Sequence, residues 1–312
     1  MRHTSYPQPL SFPARVGRVL LALLCSAGAL AGCFLLLCAL GSLSPAEISQ
    51  QVSAWLEPQQ ASTPTAGQAS LSVPEQEADE GPFQAVFLPL EDLDDAQTLA
   101  AGHDGVVLPM KTADGSLGYV SALPLAADTG ASSGDPNRNE ALRALNDTPG
   151  LYTVAQVACL RDATLAQADP TLALRRVSGS AWLDQNRQGW LDPAQPQVQD
   201  YLTGVCQELA RLGFDEILLT DCAFPTQGNL ASLEPLPQKE QTLETFCRQL
   251  QGALADYDVT LSVVGLGDSV TAEPPSGQTT GLLATFGRVW ANQEDAGTLA
   301  AFAPVELPRG GE

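Results

Sequence analysis

Residues 213 to 228 read GFDEILLTDCAFPTQG, and how this stretch is read decides the fold. A glycine ends the preceding segment, an apolar run of strand length follows without alternation, and Asp221 opens a polar loop. Strands that are apolar on both faces are covered on both faces, as in parallel sheets. The pattern recurs: alongside 216–220, strands are predicted at 84–90, 105–110, 152–160, 259–265 and 287–292, with a seventh candidate at 304–307. Helices alternate with them. Over 196–212 the apolar positions 198, 201, 202, 205, 209 and 212 form one stripe, opened by Pro196 and closed by Gly213. A second stripe, Leu243, Phe246, Leu250 and Leu254, marks a helix over 239–255. Repeated strand and helix units fit either a doubly wound sheet or a TIM-type (β/α) barrel.

Composition sets the outer limits. With 44% apolar residues in 312, the chain can bury a core of barrel size. Its 36 acids against 15 bases give a net charge of −21, which repels phosphate backbones and argues against a nucleic-acid partner. Residues 1–18 carry Arg2, Arg15 and Arg18 and no acid. The stretch from Val19 to Leu40 then carries no charge at all. At about 1.5 Å per residue it reaches the roughly 30 Å of a bilayer's hydrocarbon. This organisation predicts a cytoplasmic tail over 1–18, a transmembrane anchor over 19–40 and an extracytoplasmic remainder, by the positive-inside tendency. A cleaved signal, or a lipoprotein signal ending at Cys33, fits less well because the apolar run continues past Cys33. Residues 41–82, rich in Gln, Ser, Thr, Ala, Pro and Glu, predict a flexible stalk with one short helix over 45–56. The globular domain is expected over 83–312.

Few classes of chemistry have their parts here. The two histidines, His3 and His103, leave no material for a Ser-His-Asp triad or a zinc-binding HExxH helix. No two cysteines form a CxxC pair, so neither a metal nor any other cofactor is expected. Cys159, Cys206, Cys222 and Cys247 read as small core residues. The glycines of VVGLGDSV at 263–270 lack the third glycine of a dinucleotide loop. In a parallel barrel functional residues follow the C-terminal ends of strands, which singles out Lys111, Asp114, Arg161, Asp162, Asp221, Asp268, Trp290 and Asn292. Two carboxyl groups among them could serve glycoside cleavage. The bland alternative is that acids after strands cap the next helix. Trp182, Trp190 and Trp290 are flat surfaces of the kind that stack on sugars, with core packing as their alternative role.

Three stretches carry a resemblance: VACLRDATLAQADPTLAL at 157–174, WLDQNRQGWLDPAQPQVQDYL at 182–202, and the opening stretch itself. With GVVLPMKTADGSLGYVS at 105–121, they resemble the bacterial putative glycosyl hydrolase domain family, alpha-amylase-like TIM barrels carried by membrane-anchored, extracytoplasmic proteins. The resemblance spans about residues 84 to 292. It implies an α/β fold of the TIM-barrel type, incomplete here with six to seven strands, and action on a polysaccharide or cell-wall glycan. It implies Asp221 as nucleophile with Asp162 or Asp268 as its partner, and Lys111, Arg161, Trp290 and Asn292 as substrate-binding residues.

The family's charged positions are mostly replaced. Its fourth strand ends Phe-Asp-Tyr-hydrophobic-Arg-Phe-Pro, which puts Thr220 at the Asp, Asp221 at the Tyr and Ala223 at the Arg. A one-residue offset on a strand turns a side chain to the opposite face, unless the strand bulges or ends early. Gln156 stands where an Arg is typical, and Val263 and Val264 where an Asp is expected. The resemblance therefore implies a degenerate member, a pseudoenzyme. Its alternative is a non-catalytic surface protein that binds glycan or a protein partner.

Overall fold

The computed structural model describes residues 83–310. The predicted tail, anchor and stalk, with the short helix over 45–56, lie outside the described residues. Among the described residues no helix is long and apolar enough to cross a membrane.

Seven parallel strands form one sheet in chain order: β1 (Ala85–Phe87), β2 (Gly105–Lys111), β3 (Tyr152–Ala158), β4 (Glu216–Thr220), β5 (Thr260–Val264), β6 (Arg288–Ala291) and β7 (Val305–Glu306). Helices fill the connections: α1 (Ala96–Leu99), α2 (Pro124–Thr129), α3 (Arg138–Asn146), α4 (Ala163–Ala168), α5 (Pro196–Arg211), α6 (Lys239–Leu254), α7 (Thr280–Leu283) and α8 (Gln293–Ala296). The seventh predicted strand is present, and sequential order selects the barrel over the doubly wound sheet, in which strand order reverses. β1 is shorter than its apolar run suggests. Pro89 has no N–H to give the ladder, and the chain turns into a 3₁₀ helix at Leu90–Asp95.

Both faces of the sheet are buried, as unbroken apolar strands require. Val106, Leu108, Ala155, Val157, Ile217, Leu219 and Val263 belong to one large core that also holds the buried stripes of α5 and α6. Their neighbours in sequence, Val107, Val154, Leu218 and Val264, pack with Trp290 in a smaller, separate core. That second core is the interior of a barrel. Phe83, just before β1, meets Trp290 of β6 edge to face with ring centroids 6.0 Å apart. Five strand spacings separate β1 from β6, about 24 Å in a flat sheet, so the sheet must curl for these rings to touch. The curl stops short of closure: among the described residues β1 and β7 have no outer neighbour.

A buried carboxylate holds the inner face together. Glu216, at the start of β4 and fully buried, accepts from Trp290 Nε1 at 2.6 Å and from the Tyr152 hydroxyl at 2.9 Å. Arg288 completes its shell at 2.5 Å and lies over the Phe83 ring at 4.5 Å. Burial, then the Glu216 charge, push the Tyr152 hydroxyl up to about 12, which keeps it a donor. The cluster joins β3, β4, β6 and the approach to β1 where no ladder closes the ring.

The four cysteines of this region are buried and free, with Cys222 Sγ 3.6 Å from Cys247 Sγ.

Glu216→Gln preserves volume but turns two acceptor oxygens into one and removes the partner of Arg288. It is expected to lower the unfolding free energy by about 2 kcal/mol in urea denaturation. An unchanged midpoint would show that apolar packing alone closes the ring.

Candidate functional site

A cavity of about 530 Å³ opens where β3, β4 and β6 end, a volume in the range of ligand pockets. Thr220 and Asp221 both line it. A regular strand would send them to opposite faces, but β4 ends at Thr220 and Asp221 has φ +49°, a left-handed conformation that Asp tolerates better than most residues. The strand thus ends early. Arg161 enters after β3, and Asn292 and Glu294 from the start of α8. The long connection between α4 and α5 folds over the opening as a ribbon, pinned by Ala173–Leu191, Arg175–Ala181 and Leu183–Gly189 bridges, and supplies Asp184 and Trp190.

Arg161 is the centre of the charge arrangement. Its Nη2 lies 3.0 Å from Asp221 Oδ1, its Nε 3.6 Å from Asp184 Oδ2, and its guanidinium covers the Trp190 ring at 5.1 Å. Asp184 is saturated: Oδ1 accepts from the backbone N–H of Asn186 and Gln188, and Oδ2 from Trp190 Nε1 at 3.1 Å. Asp221 is less well provided. Burial raises its carboxyl above the ordinary carboxylate value, and the Arg161 and Lys111 charges offset only part of the rise. The Asn292 side-chain oxygen is buried with no hydrogen-bond partner among the described residues. Among the described residues no group of three or more His, Cys, Asp or Glu is placed to hold a metal ion.

The other residues singled out from the sequence are placed elsewhere. A register shift between Pro109 and Lys111 sets Lys111 opposite Val157, a residue of the core beneath the helices. There the buried Lys111 Nζ donates to the carbonyls of Ala158 at 2.8 Å and Arg161 at 3.2 Å and pairs with Asp162 Oδ2 at 3.0 Å. Two of the three ammonium protons go to carbonyls, and the charge is compensated by Asp162. The lysine touches a neighbouring cavity, but its charge is already paired with Asp162. Asp162 is the N-cap of α4, accepting from Leu165 N at 2.8 Å, and does not line the 530 Å³ cavity. Gly115 is dictated by that pair: its φ is +95°, and a Cβ there would lie 2.2 Å from Asp162 Oδ1. Asp268 accepts from the backbone and hydroxyl of Ser276, both at 2.8 Å, and stiffens a loop outside the cavity. Trp290 is fully buried on the barrel floor with Glu216. Of the predicted set, Asp221, Arg161 and Asn292 meet at one cavity.

Three participants did not follow from the strand-end rule. Asp184 and Trp190 sit in the α4–α5 connection, and Glu294 lies beyond the last residue of β6. The signal for Asp184 was present in DQNRQ, an acid ahead of a polar turn whose amides it collects.

Comparison with known proteins adds the following. Residues 97–285 match a family described as putative glycosyl hydrolase domain. No curated protein matches the chain. A hypothetical protein from Ruminiclostridium thermocellum is similar in structure, with 26% identity and a TM-score of 0.51 over 57% of this chain and 96% of that one. The GH20 exo beta-N-acetylglucosaminidase of Vibrio harveyi, in complex with N-acetylglucosamine, has 12% identity and a TM-score of 0.50 over 74% of this chain and 42% of that one, a likeness of fold alone. The glycoside hydrolase domain of PgaB (BpsB) from Bordetella bronchiseptica has 15% identity and a TM-score of 0.47 over 67% of this chain and 74% of that one.

Lys111→Met strands Asp162 as a buried, unpaired charge and is expected to destabilise by about 3–5 kcal/mol, while adding Asp162→Asn recovers part of the loss. Equal losses in the single and double variants, compared by denaturation, would show that packing and not charge is at stake. For Asp221 the sign is opposite. Its raised value means that the native state favours the protonated carboxyl, a contribution fully present at acid pH and lost as pH rises through the raised value. Asp221→Asn is therefore expected to melt above the parent at neutral pH, with the difference vanishing below the usual carboxylate range. A lower melting temperature at neutral pH would show that the Arg161 pair outweighs burial.

Proposed function

The chain belongs to the putative glycosyl hydrolase domain family, and from that premise we propose that its cavity holds a polysaccharide without hydrolysing it at an enzyme's ordinary rate. One observation carries this reading. Of the strand-end side chains lining the cavity, Gln156, Thr220, Val264 and Asn292 are uncharged, and the single acid, Asp221, is paired with Arg161 at 3.0 Å. Glycoside cleavage uses two carboxyl groups about 5 to 10 Å apart, one to donate a proton and one to attack or to activate water. Asp184 is committed to three donors, with Arg161 Nε a further 3.6 Å ion pair. That leaves Glu294, exposed at the rim, as the only other acid of the lining.

The reading extends to location. A domain anchored by residues 19–40 and facing outward would meet cell-envelope or external polysaccharide. The uncharged apolar run, with arginines before it and the acid excess after it, supports that placement.

Retention of the full-length, detergent-purified protein on insoluble polysaccharides and a glycan array tests the proposal, with reducing ends assayed in parallel. Retention without release of reducing ends is the expected outcome. Turnover at about 1–10³ s⁻¹ that disappears in Asp221→Asn would overturn the non-catalytic reading; retention on no glycan would overturn the proposal as a whole.

A further inference from the structure

Beside the first cavity lies a second of about 490 Å³, and the two share Gln156, Arg161, Thr220 and Asp221 as walls. The second is bounded by Phe87, Pro89 and Glu91 on one side and by Thr112 and Ser116 of the hairpin after β2 on the other. Its position follows from the incomplete ring: Gly310 stands against Phe87 of β1, where the next strand of a closed barrel would run. The Arg161–Asp221 pair is therefore a crossing point between two compartments and not the end of one pocket.

The chemistry of the walls limits what could lie there. The acids Asp184, Asp221, Glu294 and Glu91 face the two spaces, and Arg161 is already paired with two of them while Lys111 is paired with Asp162. No cation of the lining is left over for a carboxylate or sulfate. The first cavity instead presents amides, among them Gln185, Asn186, Gln293 and the unpartnered Asn292 oxygen, which suit hydroxyl groups as donors and as acceptors.

We propose that the two cavities are one cleft for an internal stretch of a linear, uncharged polysaccharide, with sugar units on both sides of the Arg161–Asp221 pair. The proposal rests on the glycan reading above and adds that the ligand passes through and does not end in the site. Each compartment alone has the size of an ordinary ligand pocket, about 300–1,000 Å³, so a chain filling both makes roughly twice the contact of a terminal sugar.

The experiment is calorimetric titration of the full chain with cello-, malto-, xylo- and chito-oligosaccharides from dimers to octamers, and with oligogalacturonides of matching length. In the series that binds, affinity should rise by about tenfold or more between the dimer and the longer oligomers, and the oligogalacturonides should bind weakly or not at all. Glu91→Trp fills the second cavity from its exposed rim and Thr226→Trp the first, and neither residue lies in the shared wall. Each should return long-oligomer affinity to the short-oligomer level, with near-UV circular dichroism verifying the fold. Affinity already complete at the dimer, or long-oligomer binding unchanged by both tryptophans, overturns the through-cleft. Equal binding of oligogalacturonides overturns the uncharged class. Binding that survives while length dependence fails leaves the glycan reading standing, whereas no binding in any series removes both.

Discussion

A ring of strands short of closure lacks the ladder that would fix its curvature, so its side chains must do so. Here the task falls to the Glu216 carboxylate, buried on the barrel floor and bonded to Tyr152, Trp290 and Arg288. An ionised group in an apolar interior is tolerated only when its lone pairs are filled. That requirement gives the cluster direction, whereas apolar contact alone would let the strands slide. With the floor held, the far ends of β3, β4 and β6 converge, and a cavity forms there.

At the mouth a second buried charge does the corresponding work. Lys111 donates to the carbonyl that ends β3, Ala158, and to that of Arg161 in the turn beyond it, and pairs with the carboxylate that caps α4, so the turn carrying Arg161 is fixed from below. Arg161 in turn rests on Trp190 and is aimed at Asp221. The order of dependence runs from a register shift in β2, through a buried, paired ammonium, to the placement of the one cation lining the first cavity. Lys111, which the resemblance implies as a substrate-binding residue, is here bonded to backbone carbonyls and paired with Asp162.

Much of the scaffold was legible because it follows from local periodicity. Unbroken apolar runs, a 3.6-residue stripe from Val198 to Leu209, and Pro196 and Gly213 as punctuation locate most of their elements within a residue or two, β1 being the exception. The site was less legible, because its residues depart from periodicity. Asp221 reaches the cavity only by leaving the strand conformation, and the alternation rule by itself would have sent it to the other face. Lys111 is turned away by a register shift that has no clear sequence mark. Asp184 lies far in sequence from any strand end and is brought in by a ribbon of isolated bridges. Trp290 shows the reverse error: near the end of β6 it seems well placed for ligand, yet its indole N–H is drawn to a carboxylate on the floor.

The acids of this domain divide by how completely they are satisfied. Glu216, Asp184 and Asp268 each accept from several donors, and Asp162 caps α4 and pairs with Lys111, so their positions are explained by the fold they hold. Asp221 sits in a strained backbone conformation with a carboxyl that burial holds above its ordinary value, and it has one side-chain partner. Strain and incomplete solvation in one residue are unfavourable to folding and are concentrated where proteins bind or react. A site that had lost all function would have no physical reason to keep an aspartate there, since asparagine or glycine fits the same left-handed turn with neither a buried charge nor, for glycine, a side chain. One compensated carboxylate among many amides fits the binding proposed above more readily than cleavage.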